Sequence, residues 1–199
     1  AGSVRSDSLP RLYAPATAAR CYLALIELLC GDPDQGLRAI HKLIASAERH
    51  ADAYTYAFVL AHLGIAHYLV RDVDAVFAAA ERLVALSIQH SYGNMLAIAE
   101  RLQSWAFALH EDGAAEVDLL RQMVLDQVGV TAEVAAPLFV VALTEALTFH
   151  GRHAEALALI DVGLAAVQRQ HFVIGCAVSF CFAQTMTCKP AKMNLNAPC

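Results

Sequence analysis

Nine histidines and six cysteines are the residues of this chain best equipped to hold a metal or attack a substrate, and their spacing argues against both. Structural metal sites gather ligands in close pairs, as two cysteines or two histidines a few residues apart. Here His50 and His90 lie 40 residues apart, as do His110 and His150, each near the end of a helix-forming stretch, and His171 follows another. An imidazolium near a helix C-terminus interacts favourably with the helix dipole, and that is the role their spacing fits. His150 and His153 straddle a turn without a third ligand beside them. His62 and His67 are five apart and do not share a helical face. The cysteines at 21, 30, 176, 181, 188 and 199 form no CxxC pair. A secreted disulfide scaffold would be shorter and denser in cysteine, so reduced thiols in a cytosolic protein are expected. The sequence holds no phosphate-binding GxxxxGK[ST] or GxGxxG loop, no HExxH and no GxSxG. The expectation is a noncatalytic chain with no metal and no cofactor. Glu145 and Glu27, lone carboxylates in apolar stretches, read either as ligand-contacting acids or as solvated or paired residues.

What would position these residues is a repeat. Gly31-Asp32-Pro33-Asp34-Gln35-Gly36-Leu37 returns in degenerate form as Arg71-Asp72-Val73-Asp74-Ala75-Val76-Phe77, Gly113-Ala114-Ala115-Glu116-Val117-Asp118-Leu119 and Gly151-Arg152-His153-Ala154-Glu155-Ala156-Leu157. The starts at 31, 71, 113 and 151 are 40, 42 and 38 residues apart, the period of a helical repeat array. Each unit reads as a helix A, a tight turn and a helix B. Asp32 and Asp72 are expected as N-caps, with Pro33 at the first helical position and Gln35 closing a capping box. The A helices are expected over about 15–30, 52–70, 95–111 and 131–150, the last capped by Thr131 and bent or delayed by Pro137. The B helices follow to about His50, His90, the residue before Gly129, and Gln170, with a fifth A-type helix over about 172–185. Counting from the first residue of the motif puts Gly36, Val76, Asp118 and Ala156 in one slot. The mostly small residues there imply close helix crossing. In the second B helix Val76, Ala79, Ala80, Leu83 and Leu86-Ser87 share a face, as Ala156, Leu159, Ile160, Gly163, Leu164 and Val167 do in the fourth.

Composition agrees with a helical array and narrows its partners. The chain is 58% hydrophobic, 17% charged and only 8% aromatic, which suits closely packed helices more than strands. Net charge is −5 and the only lysines are Lys42, Lys189 and Lys192, so no basic stripe is available for nucleic acid. Residues 1–11 are polar and lack the apolar core of a signal peptide. Phe172 to Cys188 carries no charge over 17 residues but is short for a membrane span, so a buried helix is expected there. The expected organisation is a flexible arm over 1–13, one domain of four helix pairs plus a terminal helix over 14–187, and a loose tail over 188–199.

The fourth copy, with Gly163-Leu164 after it, and the second copy, with Leu63-Gly64 and Tyr68 before it, resemble the tetratricopeptide repeat in a longer-helix form. Two phrases narrow the resemblance. Cys21-Tyr22-Leu23-Ala24-Leu25 with its turn, and Leu143-Thr144-Glu145-Ala146 with Gly151 to Leu157, are similar to the C-terminal repeat region of large bacterial signal-transduction ATPases. Those proteins carry an adenylate cyclase or winged-helix domain ahead of an NTPase module. The resemblance spans about Ala14 to Phe172, and the charged closing helix of that region is missing from 179–199. It implies an all-α, right-handed helical-repeat superhelix of tetratricopeptide-like pairs and a cytoplasmic regulatory module that binds a protein or peptide, or flanking domains of a longer chain. A small-ligand receptor with a pocket between the A helices is the alternative. In either case Phe58, Ile65, Tyr68, Leu69, Phe107, His110, Leu138, Val141, Glu145 and Phe149 are expected on the concave wall, and Trp105 in the core. The unpartnered face of 172–185 is expected to form a homodimer or to be covered by the tail from Cys188.

Overall fold

In a computed structural model, which describes residues 15–50, 52–126 and 136–170, the chain folds into eight helices with no strand among the described residues. They are α1 (Pro15–Leu29), α2 (Pro33–His50), α3 (Ala53–Leu69), α4 (Val73–His90), α5 (Gly93–Ala108), α6 (Ala114–Leu125), α7 (Ala136–Phe149) and α8 (His153–Gln170). Helices adjacent in sequence pack on one another: α1 on α2, α2 on α3, α3 on α4, α6 on α7 and α7 on α8. Helix α1 also touches α3. The expected arm over 1–13, the Thr131 cap, the fifth helix over 172–185 and the tail over 188–199 lie outside the described residues. The helices fall into two compact units, Ala1–Ala106 and Phe107–Cys199.

The repeated motif builds a two-residue turn. Gly31, Arg71 and Gly151 take the left-handed conformation, with φ of 103°, 65° and 72°. The next residue then closes the finished helix. The amide of Asp32 donates to the Glu27 carbonyl at 3.1 Å, that of Asp72 to His67 at 3.1 Å, and that of Arg152 to Leu147 at 2.8 Å. Arg71 and Gly151 add the inner bonds, to Tyr68 and Thr148. This is the Schellman arrangement, and it satisfies carbonyls that the helix end would leave open. The same residue then starts the next helix. Asp32 Oδ1 accepts from the Gln35 amide at 2.9 Å and Asp72 Oδ1 from the Ala75 amide at 3.1 Å. One position therefore ends one helix and begins another. Ser91, with φ of 57°, ends α4 in the same way.

Two local expectations need correction. The capping box at Asp32 is half made: its amide is already held by Glu27, so the Gln35 side chain donates instead to Glu27 Oε1 at 3.1 Å. Helix α5 stops at Ala108, three residues before Glu111, because His110 to Gly113 form a compact turn. Gly113 is therefore an N-cap with φ of −81°, unlike Gly31 and Gly151. It is small for a different reason, since a Cβ there would lie 2.3 Å from the Phe107 carbonyl oxygen.

That shift moves the third repeat by one residue. The first amide to bond a cap carbonyl belongs to Gly36, Val76, Val117 and Ala156, in every case four residues after the cap. All four are buried. Asp118, assigned to this slot from the motif start, is exposed and ion-paired, and Val117 fills the slot instead. At Gly36 the fit is closest: a Cβ would meet Leu28 Cγ at 2.6 Å and the Ala24 carbonyl oxygen at 2.7 Å, which is the close crossing of α1 and α2.

The core of the first unit forms around α3. Every residue from Ala57 to Ala66 is buried, because α1, α2 and α4 all pack against this helix and Tyr68 meets Trp105 of α5 edge-on at 4.8 Å. A helix apolar on all sides needs such an enclosure. On the rim, Arg82 of α4 joins Glu48 of α2, at 2.6 Å, and the Tyr56 hydroxyl of α3. Trp105 is fully buried, as its register implies.

Gly36→Leu is expected to lower stability by about 1–3 kcal/mol or more through overpacking. Asp118→Leu, which removes only an exposed ion pair, is expected to cost less than about 1 kcal/mol. Gly151→Ala, with open space around its Cβ, should cost about 1 kcal/mol from backbone strain alone. Urea denaturation of the three variants orders them, and equal midpoints for the first two would contradict the register.

Candidate functional site

The ten residues expected on a concave wall divide by burial. In the first unit Phe58, Ile65 and Tyr68 are buried and Leu69 half-buried, because α3 is enclosed on all sides. Phe58 lies against His62, ring centroids 4.2 Å apart, and meets Tyr22 edge-on. In the second unit Leu138 and Val141 are buried and Glu145 is half-buried. Exposure thus rises along one face of α7 until Phe149, which is 46% exposed. Phe107 is 43% exposed and His110 is exposed as well.

Those last three residues occupy one region. Phe149 is the final residue of α7, and Phe107 the penultimate residue of α5. His150, just past α7, reaches across to α5 and donates from Nε2 to the Ala108 carbonyl at 2.7 Å. This bond requires the tautomer protonated on Nε2, and it satisfies one of the carbonyls that α5 leaves open at its end. The imidazole of His150 also meets the Phe149 ring edge-on at 5.2 Å. On the other side, the His110 amide donates to the Phe107 carbonyl at 3.1 Å, and Gly113 closes the turn by donating to His110 at 2.9 Å. Two aromatic side chains are therefore left accessible on backbone that hydrogen bonds hold from both directions. Large exposed apolar groups on a rigid frame can anchor a partner but give no means of bond making or breaking.

By sequence His150 sits at the end of its own helix; in the fold it caps a neighbouring one. The signal available was the recurrence of Phe and His together at the ends of both helices, Phe107 with His110 and Phe149 with His150. Arg152, the residue before α8, forks onto Glu155 at 2.7 and 2.8 Å and reaches Asp118 of α6 at 2.7 Å. The hydrogen bonds from Arg152 hold the Glu155 carboxyl below its usual range.

Among the described residues no group of three or more His, Cys, Asp and Glu side chains is arranged to hold a metal ion. Each remaining histidine with a described contact has a packing role. His67 faces His41 across α2 and α3, centroids 5.4 Å apart, and lies 3.7 Å from Asp72. His90 stacks on Tyr92. His62 is buried between Phe58 and Tyr22 and donates from Nδ1 to the Phe58 carbonyl at 2.8 Å. Burial pushes its pKa down from 6.5 to about 4, so it is neutral at physiological pH. Cys21 is likewise buried, its thiol pushed up to about 12 and kept unreactive.

The unfolded chain protonates His62 before the folded one does. Its neutral burial is therefore fully tolerated above pH 6.5 and becomes a growing liability as pH falls towards 4. The loss amounts to about 3 kcal/mol at most. His62→Phe keeps a ring between Tyr22 and Phe58 without the titration. Its stability is expected to fall less than that of the parent chain between pH 7 and pH 4.5, as followed by urea unfolding; parallel losses would remove His62 as the cause.

No protein-family model, curated protein or solved structure matches the chain.

Proposed function

We propose that the chain is a noncatalytic interaction module whose stacked helix pairs form a tetratricopeptide-like superhelix, serving as a regulatory segment of a bacterial signalling ATPase. One observation carries the binding role: Phe107 and Phe149 remain 43% and 46% exposed at helix ends that hydrogen bonds to their neighbours hold in place. The other apolar residues on the same face of α7 are buried, so these rings are an exception within a well-packed unit. A peptide or helix with apolar anchors is the partner that such a surface recognises. The repeated left-handed turns and the four equivalent slots support the repeat reading. The cytoplasm as its location is supported by two unbridged cysteines, Cys21 and Cys30, and by the absence of any described helix long and apolar enough to cross a membrane.

Selection of a random peptide library on the intact chain tests this. Enriched peptides should carry aromatic or large aliphatic anchors, and the double variant Phe107→Ser/Phe149→Ser should weaken their binding by about tenfold or more while leaving the circular dichroism unchanged. No enrichment, or enriched peptides indifferent to both substitutions, would rule the surface out.

A further inference from the structure

Helix α1 is apolar on two opposite faces, and only one of them is covered among the described residues. Ala18, Cys21, Ala24 and Leu28 are buried in the first unit. Ala16, Ala19, Leu23, Ile26 and Cys30 are exposed, and their spacing alternates 3, 4, 3 and 4 residues. That is the spacing of the contact seam of a coiled coil. Leu23 is 55% exposed and Ile26 42%. Two charges accompany the seam, Arg20 and Glu27, seven residues apart and therefore along one edge of it. Arg20 is exposed and has no ion pair among the described residues. Glu27 accepts from Gln35 through Oε1, which leaves Oε2 available.

We propose that this face of α1 binds the same face of a second copy of the chain, antiparallel and about a two-fold axis. With the axis beside Ala24, Leu23 of each copy packs against Ile26 of the other, and Ala19 against Cys30. The same register sets Arg20 of each copy beside Glu27 of the other, so one geometry satisfies both the apolar seam and the charges at its edge. A parallel pairing sets Arg20 against Pro15 and Glu27 against Tyr22, with no charge match. The antiparallel two-fold arrangement is self-complementary, so it closes as a dimer and does not propagate.

Sedimentation velocity on the full chain tests the proposal. A dimer is expected at micromolar concentration, and Leu23→Lys should raise its Kd by about 30-fold or more, as removal of a central apolar contact does. The helical circular dichroism of that variant should stay unchanged, since Leu23 lies outside the core. Arg20→Glu should weaken the dimer, and Arg20→Glu/Glu27→Arg should restore it. Direction is read by mild oxidation: Ala19→Cys should cross-link to Cys30 of the second copy, and Ala19→Cys/Cys30→Ser should not. A chain that stays monomeric at about 100 μM overturns the proposal, because an interface of two such helices would be populated there. A dimer indifferent to Leu23→Lys also overturns it, as one built on residues 172–185 would be.

Discussion

A single backbone residue with positive φ, followed by one residue that both closes a helix and opens the next, is the constraint on which the helix pairs depend. Gly31, Arg71 and Gly151 supply the left-handed turn, and Asp32, Asp72 and Arg152 the shared position. A connection this short leaves the two helices little choice but to run back along each other. Their close approach is then fixed at the fourth residue after the cap, where Gly36, Val76, Val117 and Ala156 are buried. Of these four slots only the first holds a glycine, and there a Cβ would lie 2.7 Å from the Ala24 carbonyl oxygen of α1. Arg71 shows that a non-glycine can take the turn, with its guanidinium over the Tyr68 ring at 5.0 Å helping to hold it.

From those pairs follows the burial of α3. Pairing with α4 covers one side, α1 and α2 cover others, and Trp105 reaches Tyr68. The enclosure is complete enough to keep an imidazole neutral at His62, which then bonds the carbonyl one helical turn before it. A polar side chain in such a place is tolerated because its donor is satisfied and its charge is absent. Phe58 and Tyr68 of α3 are thus committed to packing.

The second unit leaves aromatic surface where the first does not. Its turn between α5 and α6 is longer, and the last residue of α5, Ala108, accepts from His150 just past α7. Phe107 and Phe149 stand at those ends. The exposed seam of α1 belongs to the first unit, apolar along its length and edged by opposite charges.

Local rules legible in the amino-acid order determined where helices start and stop. Asp32, Asp72 and Asp52 cap because a short carboxylate can accept from amides two or three residues on. Gly31 and Gly151 end helices because they pass into left-handed backbone without strain. Apolar residues at helical spacing gave the buried face of α4, from Val76 to Ser87, almost residue by residue. The repeat period fixed which turns are equivalent, but not to the residue: Gly113 looks like Gly31 and Gly151 in sequence, yet it is needed for space and not for φ. Only the folded chain separates these, because the Phe107 carbonyl that excludes a side chain at Gly113 is brought there by the turn itself. The same holds for the proposed wall. Periodicity says that Phe58, Tyr68, Phe107 and Phe149 lie on helix faces, but whether a face is covered depends on which helix packs over it. That is decided by contacts between residues tens of positions apart, such as Tyr68 with Trp105 and His150 with Ala108, and no local pattern encodes them.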